Sequence, residues 1–163
     1  MIRSCTSHDF DAMFEVINDG AQAYRGHIAD DCWHDPYMPR EELRDEIAAG
    51  VRFWGDFDGD ALRAVMGIQD VKDVALIRHA YTRRAAQGKG SGGRLLAHLV
   101  SLTDRPILIG TWASAAWAIR FYEARGFTLV DPEEKLRLLK KYWTVSDRQI
   151  AESVVLRNRV VAS

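Results

Sequence analysis

Apolar positions recur along this chain with two spacings, and each change of spacing marks an element. Residues 1–5, "MIRSC", read as a short strand. Over 7–24 the period lengthens to that of a helix, with Phe10, Met13, Phe14 and Ile17 on one face and Ser7 placed to cap it. Residues 26–39, "GHIADDCWHDPYMP", have no period and read as a loop rich in aromatics. A short helix over 40–50 follows, closed by Gly50. Two strand-like runs, 51–57 and 61–69, flank the hairpin signal "DGD", and a third, "VALIRHAYT", covers 74–82. Beyond them come a helix with Leu95, Leu96, Leu99 and Val100 on one face, and the apolar strand 106–112. A helix over 114–127 carries Trp117, Ile119, Phe121 and Tyr122 and closes at Gly126. A strand at 127–130, a helix over 132–143 opened by Pro132, and a last strand over 151–160 complete the chain.

Hairpins and a strand–helix–strand crossover occur together. The expected fold class is therefore α/β, a mixed sheet with helices on both faces, in a single domain over 1–163. No repeat or linker divides it, and 163 residues suffice for a self-standing core.

Composition narrows the function classes by exclusion. A net charge of −1 offers no basic surplus for a nucleic-acid partner. No apolar run reaches the roughly 18 residues a membrane span needs, and the first residues lack the pattern of a secretory leader. The expected setting is cytoplasmic. Cys5 and Cys32 have no metal-ligand spacing and are expected to be free thiols, so no metal is expected.

The segment "RRAAQGKGSGGRLLAHLV", residues 83–100, carries the chemistry. Four glycines fall between 88 and 93, directly before an apolar helix. A helix N-terminus offers unpaired N–H groups and the positive end of the macrodipole, and glycines let an anion approach them. A nucleotide-hydrolase loop needs Ser or Thr after its Lys, but Gly90 follows Lys89. The dinucleotide pattern is formally met by Gly88, Gly90 and Gly93, yet "RRAAQ" separates it from the preceding strand.

"QGKGSG" resembles the Q/R-x-x-G-x-G/A signature of the GNAT (GCN5-related N-acetyltransferase) family, with Gln87, Gly90 and Gly92 in the signature positions. "AIRFYEARGF" is similar to that family's downstream helix, and the element order is similar over most of the chain. The resemblance implies a central sheet of six to seven strands and an acetyl-CoA-dependent N-acetyltransferase. Residues Gln87, Gly88, Lys89, Gly90, Ser91, Gly92 and Gly93 would hold the coenzyme's pyrophosphate, and Ala80, Tyr81 and Thr82 its pantetheine arm. Lys89 would either add charge or simply be solvated. Tyr122 matches the tyrosine that serves as general acid toward the leaving thiolate. Ala115 stands where the family often has Asn, and is not carried over.

The general base stays open. Leu76 and Arg78 stand where some relatives have Glu or His, and strand alternation points His79 to the opposite face. Asp70, Asp73, His27, His34 or a chain of waters could serve. Candidate acceptor contacts are Tyr24, His27, Trp33, His34 and Arg78, the last toward an acceptor carboxylate, with Tyr37 in the same aromatic loop. The late segment "KKYWTVSDRQ" adds Tyr142, Trp143 and Arg148. The expected acceptor is a primary amine of a small molecule. A catalytically silent CoA-binding module and a transferase acting on protein lysines or N-termini are the alternatives. Homodimers are common in the family, so a second copy is a candidate partner.

Overall fold

The computed structural model describes residues 1–162. Seven strands form one mixed sheet: β1 (Ile2–Ser4), β2 (Arg52–Asp58), β3 (Ala61–Val71), β4 (Val74–Thr82), β5 (Ile107–Trp112), β6 (Thr128–Leu129) and β7 (Ser153–Arg157), in the order β1-β2-β3-β4-β5-β7-β6. The pairs are antiparallel except β4–β5, which is parallel and joined by a helical crossover. Six α-helices cover the faces: α1 (Phe10–Ala21), α2 (Arg40–Ala48), α3 (Ser91–Ser101), α4 (Ala116–Glu123), α5 (Pro132–Tyr142) and α6 (Asp147–Glu152).

Strand alternation sorts the core into layers. Ala75, Ile77, Ile107 and Ile109 meet Leu95, Leu96 and Leu99 of α3 and Ala118 and Tyr122 of α4. On the other face Phe53, Phe57 and Val65 meet Met13, Val16 and Ile17 of α1 and Leu43 of α2. Farther along that face Val74, Leu76 and Leu108 pack on Leu138 and Leu139 of α5.

The predicted elements are present, with shifts at their ends that have local causes. The first helix is broken into a 3-10 turn at Ser7–Asp9, α1, and a second 3-10 turn at Gln22–Tyr24. Its cap is Thr6 rather than Ser7, because Thr6 and Asp9 close a reciprocal capping box. The last strand is shorter than the pattern implied. Ser146 and Gln149 form another capping box that starts α6, so the chain stays helical through Glu152 before β7 begins. The loop at 26–39 contains one 3-10 turn, Asp30–Cys32. Cys5 and Cys32 are free thiols. No helix among the described residues is long and apolar enough to cross a membrane.

One glycine sets how closely α1 lies on the sheet. A Cβ at Gly20 would stand 2.8 Å from the Thr82 carbonyl oxygen and 3.0 Å from the Tyr81 Cβ. Helix propensity alone favours Gly20→Ala by about 1 kcal/mol. The contact with strand backbone should reverse that sign, with a net loss of roughly 1–3 kcal/mol. Thermal unfolding of the G20A variant should therefore show a Tm several degrees lower.

Candidate functional site

The sheet opens where β4 leaves β5. The two strands pair only at Ala75–Ile107, Leu76–Leu108 and Ile77–Ile109, yet β4 continues to Thr82 and β5 to Trp112. A wedge results, with strand backbone on both walls. A cavity of about 210 Å³ fills one side of it, lined by Ile77 to Tyr81 and Ile109 to Trp112, with Tyr24, Tyr37, Tyr122 and Trp143. A second cavity of about 350 Å³ shares Tyr24, Ala80, Tyr81 and Tyr122 with it and runs past Thr82, Gln87, Gly88 and Gly92. The strand end and the glycine turn thus border one continuous opening.

Residues 87 to 90 are exposed, and helix α3 begins immediately after them. Gly88 and Gly90 have φ of +79° and +84°, a conformation in which a side chain is strained. The four glycines divide by purpose. Gly88 borders open space, whereas a Cβ at Gly92 would stand 3.3 Å from the Phe121 ring and one at Gly93 3.1 Å from the Arg125 guanidinium. Gly92 and Gly93 therefore let α4 pack against the first turn of α3. The free N–H groups at that turn, with Gly88 and Gly90 bare before it, form a cradle suited to a diphosphate. Lys89 is exposed, and its carbonyl accepts a hydrogen bond from Arg94 Nη1 at 2.9 Å.

Ser91 does not face this cradle. Its hydroxyl is buried and donates to Asp56 Oδ2 at 2.7 Å. Arg94 Nη2 donates to the same oxygen at 2.9 Å and Arg63 Nη2 at 3.3 Å. Asp56, on β2, is only 1% exposed. Burial works to raise its pKa, but the Ser91 and Arg94 hydrogen bonds and the charge of Arg63 hold the carboxyl far below the ordinary range. A carboxylate thus ties β2 and β3 to the first turn of α3.

Tyr122 is buried on α4 between Phe121 and Phe127, at ring distances of 5.1 and 6.1 Å, and borders both cavities. Burial, and then the neighbouring Tyr24, raise its pKa above the usual phenol value, so it stays protonated. Burial does the same for Tyr24, Tyr37 and Tyr81. These tyrosines are therefore neutral and able to donate protons. Trp112 Nε1 donates to the Tyr37 hydroxyl at 3.2 Å, which anchors the 26–39 loop to β5.

The other sequence candidates are placed unevenly. Tyr24 lines both cavities, and His34 lines an adjoining opening with Tyr37, Arg78 and His79. His27 packs edge-on against Trp117 at 4.8 Å, and Trp33 packs against Tyr37 at 5.2 Å. Both brace the loop. Asp73 accepts the Tyr142 hydroxyl at 2.6 Å, which engages both groups outside the cavities. Asp70 pairs with Arg52 at 3.7 Å on the surface. Arg148 is engaged by Asp31 and Glu152, at 3.1 and 2.7 Å, and only Trp143 of the late trio reaches the first cavity.

Two expectations are corrected. Arg78 lines the cavity, but its guanidinium is already engaged by Glu46 at 3.0 Å and by the Gln69 side chain at 3.2 Å. His79 does not point away from Arg78. Val65 pairs with Tyr81 and Gly67 with Arg78, so Met66 alone opposes His79 and Ala80. The extra residue is a β-bulge, with His79 at φ +56°, and it turns the imidazole to the same face as Arg78. There Nε2 lies 2.8 Å from Glu46 Oε2. Glu46, on α2, gave no sequence signal. Neither did Asp56, whose role depends on strand register.

A family model described as an acetyltransferase (GNAT) domain matches residues 16–138, three quarters of the chain. The chain belongs to the GNAT acetyltransferase family. It is accordingly an acyltransferase, and its mixed seven-stranded sheet is the fold of that family. Solved structures agree on the fold. The PaiA N-acetyltransferase of Thermoplasma acidophilum, in complex with coenzyme A, superposes with a TM-score of 0.74 at 16% identity, covering 98% of both chains. The ribosomal-protein-S18-alanine N-acetyltransferase of Escherichia coli gives 0.67 at 17%, over 96% of this chain and 91% of that one. YncA of Salmonella typhimurium, with its cofactor acetyl-CoA, gives 0.62 at 20% over 80% of each. No curated protein sequence matches the chain.

The Asp56 tie in this GNAT chain has a measurable energy. Asp56→Asn removes the anion whose Oδ2 is shared by three donors and should cost about 3 kcal/mol at neutral pH. A carboxyl with a depressed folded pKa stabilises fully above its unfolded value near 3.9 and loses that contribution as pH falls toward the folded value. Urea unfolding should therefore show a large deficit for D56N at pH 7 that narrows below about pH 4.

Proposed function

We propose that this GNAT enzyme transfers the acetyl group of acetyl-CoA to a primary amine of a small molecule, by direct attack in a ternary complex, with Tyr122 as general acid. One observation carries the reading. Tyr122 stands where the glycine-turn cavity and the wedge cavity meet, so it borders both the coenzyme side and the acceptor side.

The residues present fit the coenzyme. Gly88 and Gly90 leave the α3 N-terminus open to a diphosphate, and the end of β4, unpaired toward β5 beyond Ile77, offers main-chain groups to the amides of a pantetheine arm. Ala80, Tyr81 and Thr82 would hold that arm, and Gln87 to Gly93 the pyrophosphate. Acetyl-CoA supplies the activated acyl group. The protein holds the proton that the leaving sulfur needs, at Tyr122 Oη, and aligns an acceptor beside it. A small acceptor is favoured because Tyr24, Tyr37, Trp112 and Trp143 wall the wedge, and the 26–39 loop is fastened across one side of it. The aromatic faces in this lining also attract a cationic amine.

Thiol release with acetyl-CoA, measured across polyamines, amino acids, aminoglycosides and lysine peptides, tests the acceptor class. Small amines should be turned over, and turnover of peptides alone would overturn that part of the reading. Tyr122→Phe should lower kcat by about a hundredfold or more while leaving the coenzyme Kd within a few-fold. Undiminished turnover would remove Tyr122 from the chemistry. Gly88→Asn tests the cradle: Asn tolerates the left-handed conformation well, so its bulk rather than strain should raise the coenzyme A Kd at least tenfold, as read by calorimetry.

A further inference from the structure

Forming the amide requires the acceptor ammonium to give up a proton before its nitrogen can attack. No carboxylate on the cavity walls is free to take it. Asp73 and Asp70 are engaged outside the cavities, by Tyr142 and Arg52. Glu46 is bonded by Arg78 and His79. The tyrosines of the wall are held in the neutral, proton-bearing form by burial. One basic nitrogen remains on the cavity wall.

We propose that His79 is the general base of the reaction, with Glu46 as its positioning residue; this rests on the N-acetyltransferase reading above. A carboxylate only accepts hydrogen bonds, so Glu46 Oε2 at 2.8 Å obliges Nε2 of His79 to carry the proton in the neutral ring. The lone pair is then on Nδ1, which takes no hydrogen bond from any described residue. His79 lines the same cavity as Tyr122. Its orientation comes from the bulge: only because both His79 and Ala80 oppose Met66 does the imidazole face the side of the sheet that α2 covers. Phe53 stacks on it from β2 at 6.0 Å and 27°. The residue is therefore held from two elements besides its own.

Protons and bonds balance as follows. The acceptor ammonium passes one proton to Nδ1, and the neutral amine attacks the acetyl carbon. As the C–S bond breaks, the sulfur takes the Tyr122 proton. The second proton shed by the new amide nitrogen restores the phenol. The products are amide, free thiol and one proton on the imidazole, released to solvent.

The charged and titratable groups around His79 are Glu46 and Glu42 of α2, Arg78 and Tyr81 of β4, and Cys32, His34 and Tyr37 of the 26–39 loop. Glu46 favours the imidazolium and Arg78 opposes it. Removing the Glu46 charge leaves Arg78 uncompensated, so the acidic limb of the rate profile must move to lower pH.

The experiment pairs nitrogen NMR of histidine-labelled protein without coenzyme with kcat–pH profiles of the wild type, His79→Asn and Glu46→Gln, on an amine that the wild type turns over. Asn suits the left-handed backbone at this position. Wild-type spectra should show the neutral ring protonated at Nε2 and bare at Nδ1. In H79N, kcat should fall by about a hundredfold and the acidic limb should vanish, with coenzyme A affinity within twofold and partial rescue by added imidazole. In E46Q the limb should shift down. A neutral ring protonated at Nδ1, an H79N profile that keeps its limb with kcat within threefold, or an unmoved limb in E46Q would each overturn the assignment. If H79N fails to fold, the spectra and E46Q decide. Wild-type protein that binds coenzyme A but acetylates nothing would sink the transferase reading itself, a result distinct from a normal rate in H79N.

Discussion

Everything at this site depends on β4 and β5 parting after three residue pairs. Main-chain N–H and C=O groups must find partners, and a strand edge that leaves its neighbour inside a protein exposes them to whatever fills the gap. Here each strand keeps its other neighbour, β3 beside β4 and β7 beside β5, so the sheet remains whole while a wedge opens in its middle. The edge is thus stable and still available. An amide-bearing arm can complete it as a short additional strand would.

The glycine turn is the second half of that arrangement, and its geometry is supported from beneath. Asp56 holds the first turn of α3 through Ser91 and Arg94, and Arg94 in turn holds the Lys89 carbonyl. An anion placed under a loop proposed to hold a diphosphate looks self-defeating. Two guanidinium groups answer it, and the carboxylate acts mainly to keep Arg94 and the turn in place. The cradle is therefore preorganised and has little to reorder on binding.

Around the wedge the chemistry is divided by charge. Four tyrosines kept neutral by burial supply proton donors, and Glu46 and Arg78, paired beside His79, supply the ionised groups. Glu46 is held below the ordinary carboxylate range chiefly by its His79 hydrogen bond, against the opposing effect of burial. It stays anionic where it can orient the imidazole. The proposed acid and base, Tyr122 and His79, stand on different elements, α4 and β4, and both line one cavity.

How much of this was legible in the chain follows from the range of the forces involved. Hydrophobic periods and capping residues act over a few positions, so the element order, the glycine turn and the placement of Tyr122 on a helix beside it could be read directly. The shifted ends at Thr6 and Ser146 were also local, but Thr6 and Ser7 competed for the first cap and only the folded backbone chose. Gly92 and Gly93 resemble anion-loop residues in sequence, yet their bare Cα atoms serve contact with Phe121 and Arg125. His79 was misdirected by simple alternation because one extra residue in β4, opposite Met66, reverses the face of a side chain. Asp56 and Glu46 found their partners 35 and 33 positions away. The sequence alone determined the fold class and the glycine turn before α3, since both arise from short-range patterns. Tertiary structure decided which charged groups meet, because strand register and helix packing bring together residues whose separation along the chain carries no sign of their contact.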